Sequence, residues 1–152
     1  MKKLILIFFF ISKNFVFAQN IEDVRSMYFK SIDNISKCTS LKVLLNSFEK
    51  KDNTINAYIG ANALLYCKFS NDVFEKFSYF QEGKKMIEEA IKVDPNNLEI
   101  KFLRYINQNN TPWFLNYKKN ITEDYKFITS NLNLIHDEDF KKIVVETLKI
   151  YK

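Results

Sequence analysis

An all-α domain of about seven helices, arranged as stacked antiparallel hairpins, is the fold this sequence predicts, and three observations carry that expectation. Of the 152 residues, 47% are apolar and 16% aromatic. So many large apolar side chains can offset the roughly 1 to 2 kcal/mol of backbone entropy lost per ordered residue, which argues against disorder. Only two glycines and two prolines occur, which disfavours β-sandwiches and dinucleotide-binding folds, with their many tight turns or Gly-rich phosphate loops. Apolar residues then recur at spacings of three and four along most of the chain, the period of a helix with one buried face. At 18.1 kDa the chain suits one domain, and no low-complexity linker or charge block divides it.

Residues 1–18 read as a signal peptide. Lys2 and Lys3 form a basic start, Leu4 to Ile11 an apolar run, and Val16-Phe17-Ala18 a cleavage site, which places the cut between Ala18 and Gln19. The apolar run is far shorter than the about 20 residues of a spanning helix, so removal is expected rather than anchoring. No Cys follows the cut to take a lipid, and no second run approaches bilayer length. The expected product, residues 19–152, is exported to the periplasm or beyond and has no membrane span. Three of the 23 basic residues, Lys2, Lys3 and Lys13, fall in the leader, leaving 20 against 18 acidic residues, a net charge of +2. Nucleic-acid binding, which needs a concentrated basic surface, is therefore not expected.

Each element follows from its local pattern. Val24, Met27, Tyr28, Ile32 and Ile35 predict a first helix over 21–36. Thr39 or Ser40 caps a second, carrying Leu41, Leu44, Leu45 and Phe48, and Thr54 caps a third with Ile55, Tyr58, Ile59, Leu65, Tyr66 and Phe69. After Ser70-Asn71-Asp72 comes a longer fourth helix with Phe74, Phe77, Phe80, Ile87, Ala90 and Ile91 inward, stopped by Asp94-Pro95. Leu98 opens a fifth helix, Asn107 to Thr111 reads as a polar connector, and Trp113 to Leu115 as a short apolar turn after Pro112. Two more helices are expected, over 122–132 and 137–151, the last with acidic residues at its start and Lys149 near its end, as the helix dipole favours.

Within this pattern, Glu82 to Asn97 (EGKKMIEEAIKVDPNN) places Gly83, Ile87, Ala90 and Pro95 at spacings of four, three and five. The segment resembles the second helix and closing turn of a tetratricopeptide repeat, whose small residues let two helices approach closely. Ala63 and Tyr66 resemble the small and aromatic positions of that repeat's first helix, with about eight extra residues before Gly83. One repeat length upstream, Phe29, Ile32, Leu41 and Leu45 fall in phase, with Phe29 and Leu41 in place of small residues. With Leu103-Arg104-Tyr105 and Thr111-Pro112-Trp113-Phe114-Leu115, the chain is also similar to small exported helical proteins of Bacteroidota-type bacteria. The repeat resemblance implies a tetratricopeptide-like single domain that binds a protein or peptide partner.

Residues able to carry chemistry are sparse. His136 is the single histidine, beside Asp137 and Asp139, a composition usual for a solvated helix start. One His and two separated Cys supply too few standard ligands for a metal site, and no phosphate-binding loop or nucleophile motif occurs, so no cofactor is expected. Cys38 and Cys67 either form a disulfide across a loop of about 30 residues, worth roughly 3 to 4 kcal/mol, or remain buried free thiols. Trp113 beside Pro112 is either an exposed anchor or, the preferred expectation, packed under the fifth and sixth helices.

The sequence therefore favours a non-catalytic, exported protein- or peptide-binding domain. Asn56, Asn62, Lys101, Arg104 and Trp113 are its candidate partner surface. A small envelope hydrolase or glycan-binding protein, using Glu88, Glu123 or His136, is the alternative, and a homo-oligomeric element with exposed apolar ends is a third reading.

Overall fold

The computed structural model describes residues 20–151, so the signal-peptide reading of residues 1–18 and its cut at Ala18 lie outside the described residues. The chain is all-α. Seven helices occur among the described residues: α1 (Ile21–Ser31), α2 (Ile35–Ser47), α3 (Asn53–Phe69), α4 (Val73–Val93), α5 (Leu98–Asn110), α6 (Ile121–Ser130) and α7 (Glu138–Ile150). Short 3₁₀ turns stand at Trp113–Leu115 and Leu132–Leu134.

Side-chain caps set most of these boundaries. Asn20, Asn34, Asp52, Asp72, Asn97 and Asp137 each accept a hydrogen bond from a backbone N–H in the first turn of the helix that follows, satisfying a donor that has no partner within the helix. Three expected boundaries move for this reason, one being the start of α3, where Asp52 takes the Ile55 N–H and the expected cap Thr54 lies inside the helix. The chain breaks at residues 32–34 instead of running helical to Ser36, because Asn34 takes the Lys37 N–H and starts α2 there. Thr39 and Ser40, expected as caps, lie inside α2 and donate back to the carbonyls of Ile35 and Ser36.

The stretch from Asn107, expected as a connector, continues α5 to Asn110. Asn107, Asn109, Asn110 and Thr111 donate to the carbonyls of Leu103, Tyr105, Ile106 and Asn107 in turn, so these polar side chains bond the helix they belong to.

Two apolar cores meet at α5. Ile100 and Leu103 pack into the first, with Val24 and Tyr28 of α1, Leu41 and Leu45 of α2, Tyr58 of α3 and Ile87 of α4. Phe102, Tyr105 and Ile106 pack into the second, with Ile128, Phe140, Val144 and Leu148 of α6 and α7. Residues 100–108 of α5 are all buried as a result. The most extensive helix packing is between α3 and α4, an antiparallel hairpin turned by residues 70–72.

A polar tie crosses the bundle as well. Arg25 of α1 forks onto Glu99 of α5 at 2.8 and 2.6 Å and reaches Asp137 at 2.7 Å. Its guanidinium lies 4.5 Å from the Phe140 ring centroid, and the Tyr58 hydroxyl donates to Glu99 at 2.8 Å. The bond to Glu99 outweighs burial and raises the Arg25 pKa further.

Candidate functional site

Two features stand out above the helical framework: a buried charged cluster on one face of α5 and an open apolar groove at the other end of the α3–α4 hairpin.

The cluster follows from the spacing of Lys101, Arg104 and Gln108, which falls on one stripe of α5. Arg104 donates through Nε and Nη2 to the two oxygens of Asp124 at 2.7 and 2.8 Å, and through Nη1 to Glu88 at 3.1 Å. Asp124 is fully buried. Lys101 reaches Glu123 at 3.3 Å and Asp124 at 3.5 Å, with its ammonium 4.9 Å from the Phe127 ring centroid. The bonds from Asn120 and Lys101 hold the Glu123 carboxyl below its usual range. Gln108 accepts the Asn120 N–H through Oε1 and so fastens the start of α6. Glu88 Oε1, Gln108 Nε2 and the Tyr117 hydroxyl are buried without a hydrogen-bond partner. Burial, with the Glu88 carboxylate second, raises the Tyr117 pKa.

The groove, about 700 Å³ in volume, opens between α3, α4, the ends of α1 and α5, and the Trp113–Leu115 turn. Tyr28, Phe80 and Ile106 are buried at its floor, while Val73, Phe77, Pro112 and Phe114 form an exposed rim. Phe74 and Trp113, neighbours of rim residues in the chain, are 86% and 82% exposed. Monomeric soluble proteins seldom leave so many large apolar side chains in water together, and such surfaces mark interaction sites. Most polar side chains that line the groove donate to partners within the protein. Asn107 bonds Leu103 and Tyr28, Asn110 bonds Ile106 and Tyr151, Thr111 bonds Asn107, and Lys68 pairs with Asp33. Lys76 has no carboxylate partner among the described residues.

These placements change several expectations. Lys101, Arg104 and Asn62, expected on an outward partner surface, are buried. The first two neutralise Asp124, and Asn62 accepts the Cys38 thiol at 3.0 Å. Asn56 is half-buried on α3. Trp113 stands exposed instead of packed, because Pro112 and the 3₁₀ turn carry it away from α5 and α6. Phe74 and Phe77, expected inward, face water, Phe77 at the groove, because the first turns of α4 extend past both cores.

His136 is exposed before α7, and its neighbour Asp137 is engaged by Arg25. Glu88 and Glu123 do come to one place, each holding a cation. No group of three or more His, Cys, Asp or Glu able to hold a metal ion occurs among the described residues. Cys38 and Cys67 are free thiols, and burial pushes each up to about 11. The groove has little signature in the sequence beyond the density of Phe and Val at the start of α4. Comparison of the chain with protein-family models, curated proteins and solved structures finds no match. No helix among the described residues is long and apolar enough to cross a membrane.

Proposed function

We propose that this protein is an exported, non-catalytic binding domain that holds an apolar segment of a partner protein or peptide in the groove beside α4. The observation that carries the reading is the exposed rim of Val73, Phe77 and Phe114 around an apolar cleft with a buried floor. Contact with a partner would remove these side chains from water at roughly 25 cal/mol per Å² of apolar surface.

Two further observations support it. The Glu88 and Glu123 carboxylates, the acids an envelope hydrolase would draw on, neutralise Arg104 and Lys101, which suits a structural role. The resemblance of Glu82 to Asn97 to a tetratricopeptide repeat adds to the reading, since helical repeats of that kind bind peptides. Export rests on the leader pattern of residues 1–18.

Random-peptide display against the protein and against its Phe77→Asp variant tests the reading. Apolar sequences enriched on the native protein and lost on the variant are expected. Equal enrichment on both, or none on either, overturns it.

A further inference from the structure

We infer that the occupant of the groove is an amphipathic α-helix of a partner protein, apolar on the face it buries and carrying a carboxylate at the edge that meets Lys76. This inference rests on the groove reading above and adds the conformation and charge of what binds there.

The conformation follows from hydrogen-bond accounting. An extended peptide brings a backbone N–H and C=O with every residue, and each needs a partner once water is excluded. The groove has few to offer. The Nδ2 groups of Asn107 and Asn110, the Thr111 hydroxyl and the Lys68 ammonium all donate within the protein, and the Cys67 thiol donates to the Lys76 carbonyl, so most side-chain donors are taken. The regular structure around it is entirely helical, with no strand edge among the described residues to add a strand to. A helix satisfies its own backbone and presents side chains alone, at spacings of three and four.

The extent of the apolar surface points the same way. Phe74 and Trp113 lie next to rim residues in the chain but do not line the cleft itself. A small molecule confined to the cleft would leave Trp113 in water, whereas a helix extending past the Phe114 rim would reach it, the two rings being 6.1 Å apart.

The charge follows from the two lysines at the groove. Lys68 is neutralised by Asp33, while Lys76 lacks a carboxylate partner among the described residues. A carboxylate beside the apolar stripe of the incoming helix would supply one.

Fluorescence anisotropy of a labelled synthetic peptide tests this on the purified protein. The probe is a helix of about 18 residues, long enough to fold partly alone, with Leu at helical spacing and Glu at the edge of that stripe. Companion probes place Pro at its centre or Lys in place of Glu. Saturable binding of the Glu probe is expected, with the Pro probe at least about tenfold weaker, since Pro breaks the helix. The Lys probe should be weaker by about threefold to fivefold, the range of a partly exposed ion pair. Lys76→Glu should reverse that preference. Phe77→Asp should abolish binding while leaving the circular dichroism unchanged, because Phe77 is 57% exposed.

If the Pro probe binds as tightly as the first and still depends on Phe77, the helix inference fails and the groove reading stands. If no probe binds in a Phe77-dependent way, both fail. Phe77-dependent binding to anionic phospholipid vesicles without binding to peptide also overturns the inference, in favour of a membrane surface. An unchanged charge preference in Lys76→Glu removes the carboxylate.

Discussion

Gly60 of α3 and Gly83 of α4, the two glycines of the chain, face each other across the hairpin. A Cβ built on Gly83 would lie 2.5 Å from the Gly60 carbonyl oxygen and 2.7 Å from Leu64 Cγ. One built on Gly60 would lie 2.8 Å from the Gly83 carbonyl oxygen and 2.9 Å from Met86 Cβ. The two backbones thus touch where neither helix carries a side chain. That contact sets how close α3 and α4 lie, and so the shape of the groove further along the hairpin.

Gly83→Ala should therefore destabilise the protein by about 1 to 3 kcal/mol, the usual result of forcing atoms into a packed interface. The substitution would gain about 1 kcal/mol on helix propensity alone, so the sign of the effect is informative. Urea denaturation followed by circular dichroism reads it. Gly60→Ala should act in the same direction and less strongly, its clashes being slightly longer. A midpoint that rises in either variant would mean that propensity outweighs contact, and that the helices are free to move apart.

Much of this arrangement is written in local sequence. Helix positions follow the spacing of three and four, and Asp72 and Asp94-Pro95 mark ends readable locally, whereas Asn34 and Asp52 take the capping roles expected of Thr39 or Ser40 and of Thr54. Gly83 was readable as a point of close approach, but its counterpart Gly60 was not, since only the folded hairpin brings them together. The Asn-rich end of α5 misleads because those amides bond back to their own helix, an option composition does not reveal. Lys101 and Arg104 mislead more deeply. On a lone amphipathic helix they belong outside, yet α5 is covered on every side, and the buried Asp124 that receives them lies 20 or more residues further along. The groove is illegible for the same reason, since Phe74 and Phe77 have helical phase and only the extent of the cores decides that they are exposed.

Breaking the Arg104–Asp124 pair from one side should be severe. Arg104→Met leaves a fully buried carboxylate facing only Lys101, and Asp124→Leu leaves the guanidinium with Glu88 alone. Losses of about 3 to 5 kcal/mol are expected for each, the range for stranding a buried charge. The double variant should lose less than the sum of the two, because the buried guanidinium and carboxylate leave together and only the part-exposed Glu88 loses its cation. Denaturant unfolding of the three proteins checks this, and single variants within about 1 kcal/mol of the parent would show the cluster to be well hydrated. Arg104→Lys should not rescue, since an ammonium cannot reproduce the two-pronged bond.

Stability should fall at alkaline pH. Burial pushes the Cys38 thiol up to about 11 and raises the pKa values of Tyr28, Tyr58 and Tyr117 above the phenol range. In each case the folded protein keeps a proton that the unfolded chain loses near pH 8.5 for Cys and about 10 for Tyr. The unfolded state then binds fewer protons, so stability is fully present below about pH 8.5 and declines as pH rises toward 11. Urea midpoints should be level from about pH 7 to 8 and drop beyond. Tyr117→Phe should flatten that drop with little cost at neutral pH, since the Tyr117 hydroxyl is buried without a hydrogen-bond partner. Midpoints that hold level to pH 10.5 would contradict the burial of these groups.

Trp113 offers a direct test of the groove rim because it is the single tryptophan of the chain. At 82% exposure, with only the Phe114 ring packed beside it at 6.1 Å, its indole should be quenched by iodide almost as efficiently in the native protein as in urea. Trp113→Ala should change stability by no more than about 0.5 kcal/mol, as expected where no core contact is removed. Strong protection of the native indole would instead place the turn against α5 and α6 and close one wall of the groove. If a helical probe binds as inferred, iodide access to Trp113 should fall on titration in step with the anisotropy. Phe77→Asp, on the opposite side of the cleft, should remove that protection without altering quenching of the free protein. The exposure of one ring thereby reports both the architecture of the rim and its occupancy.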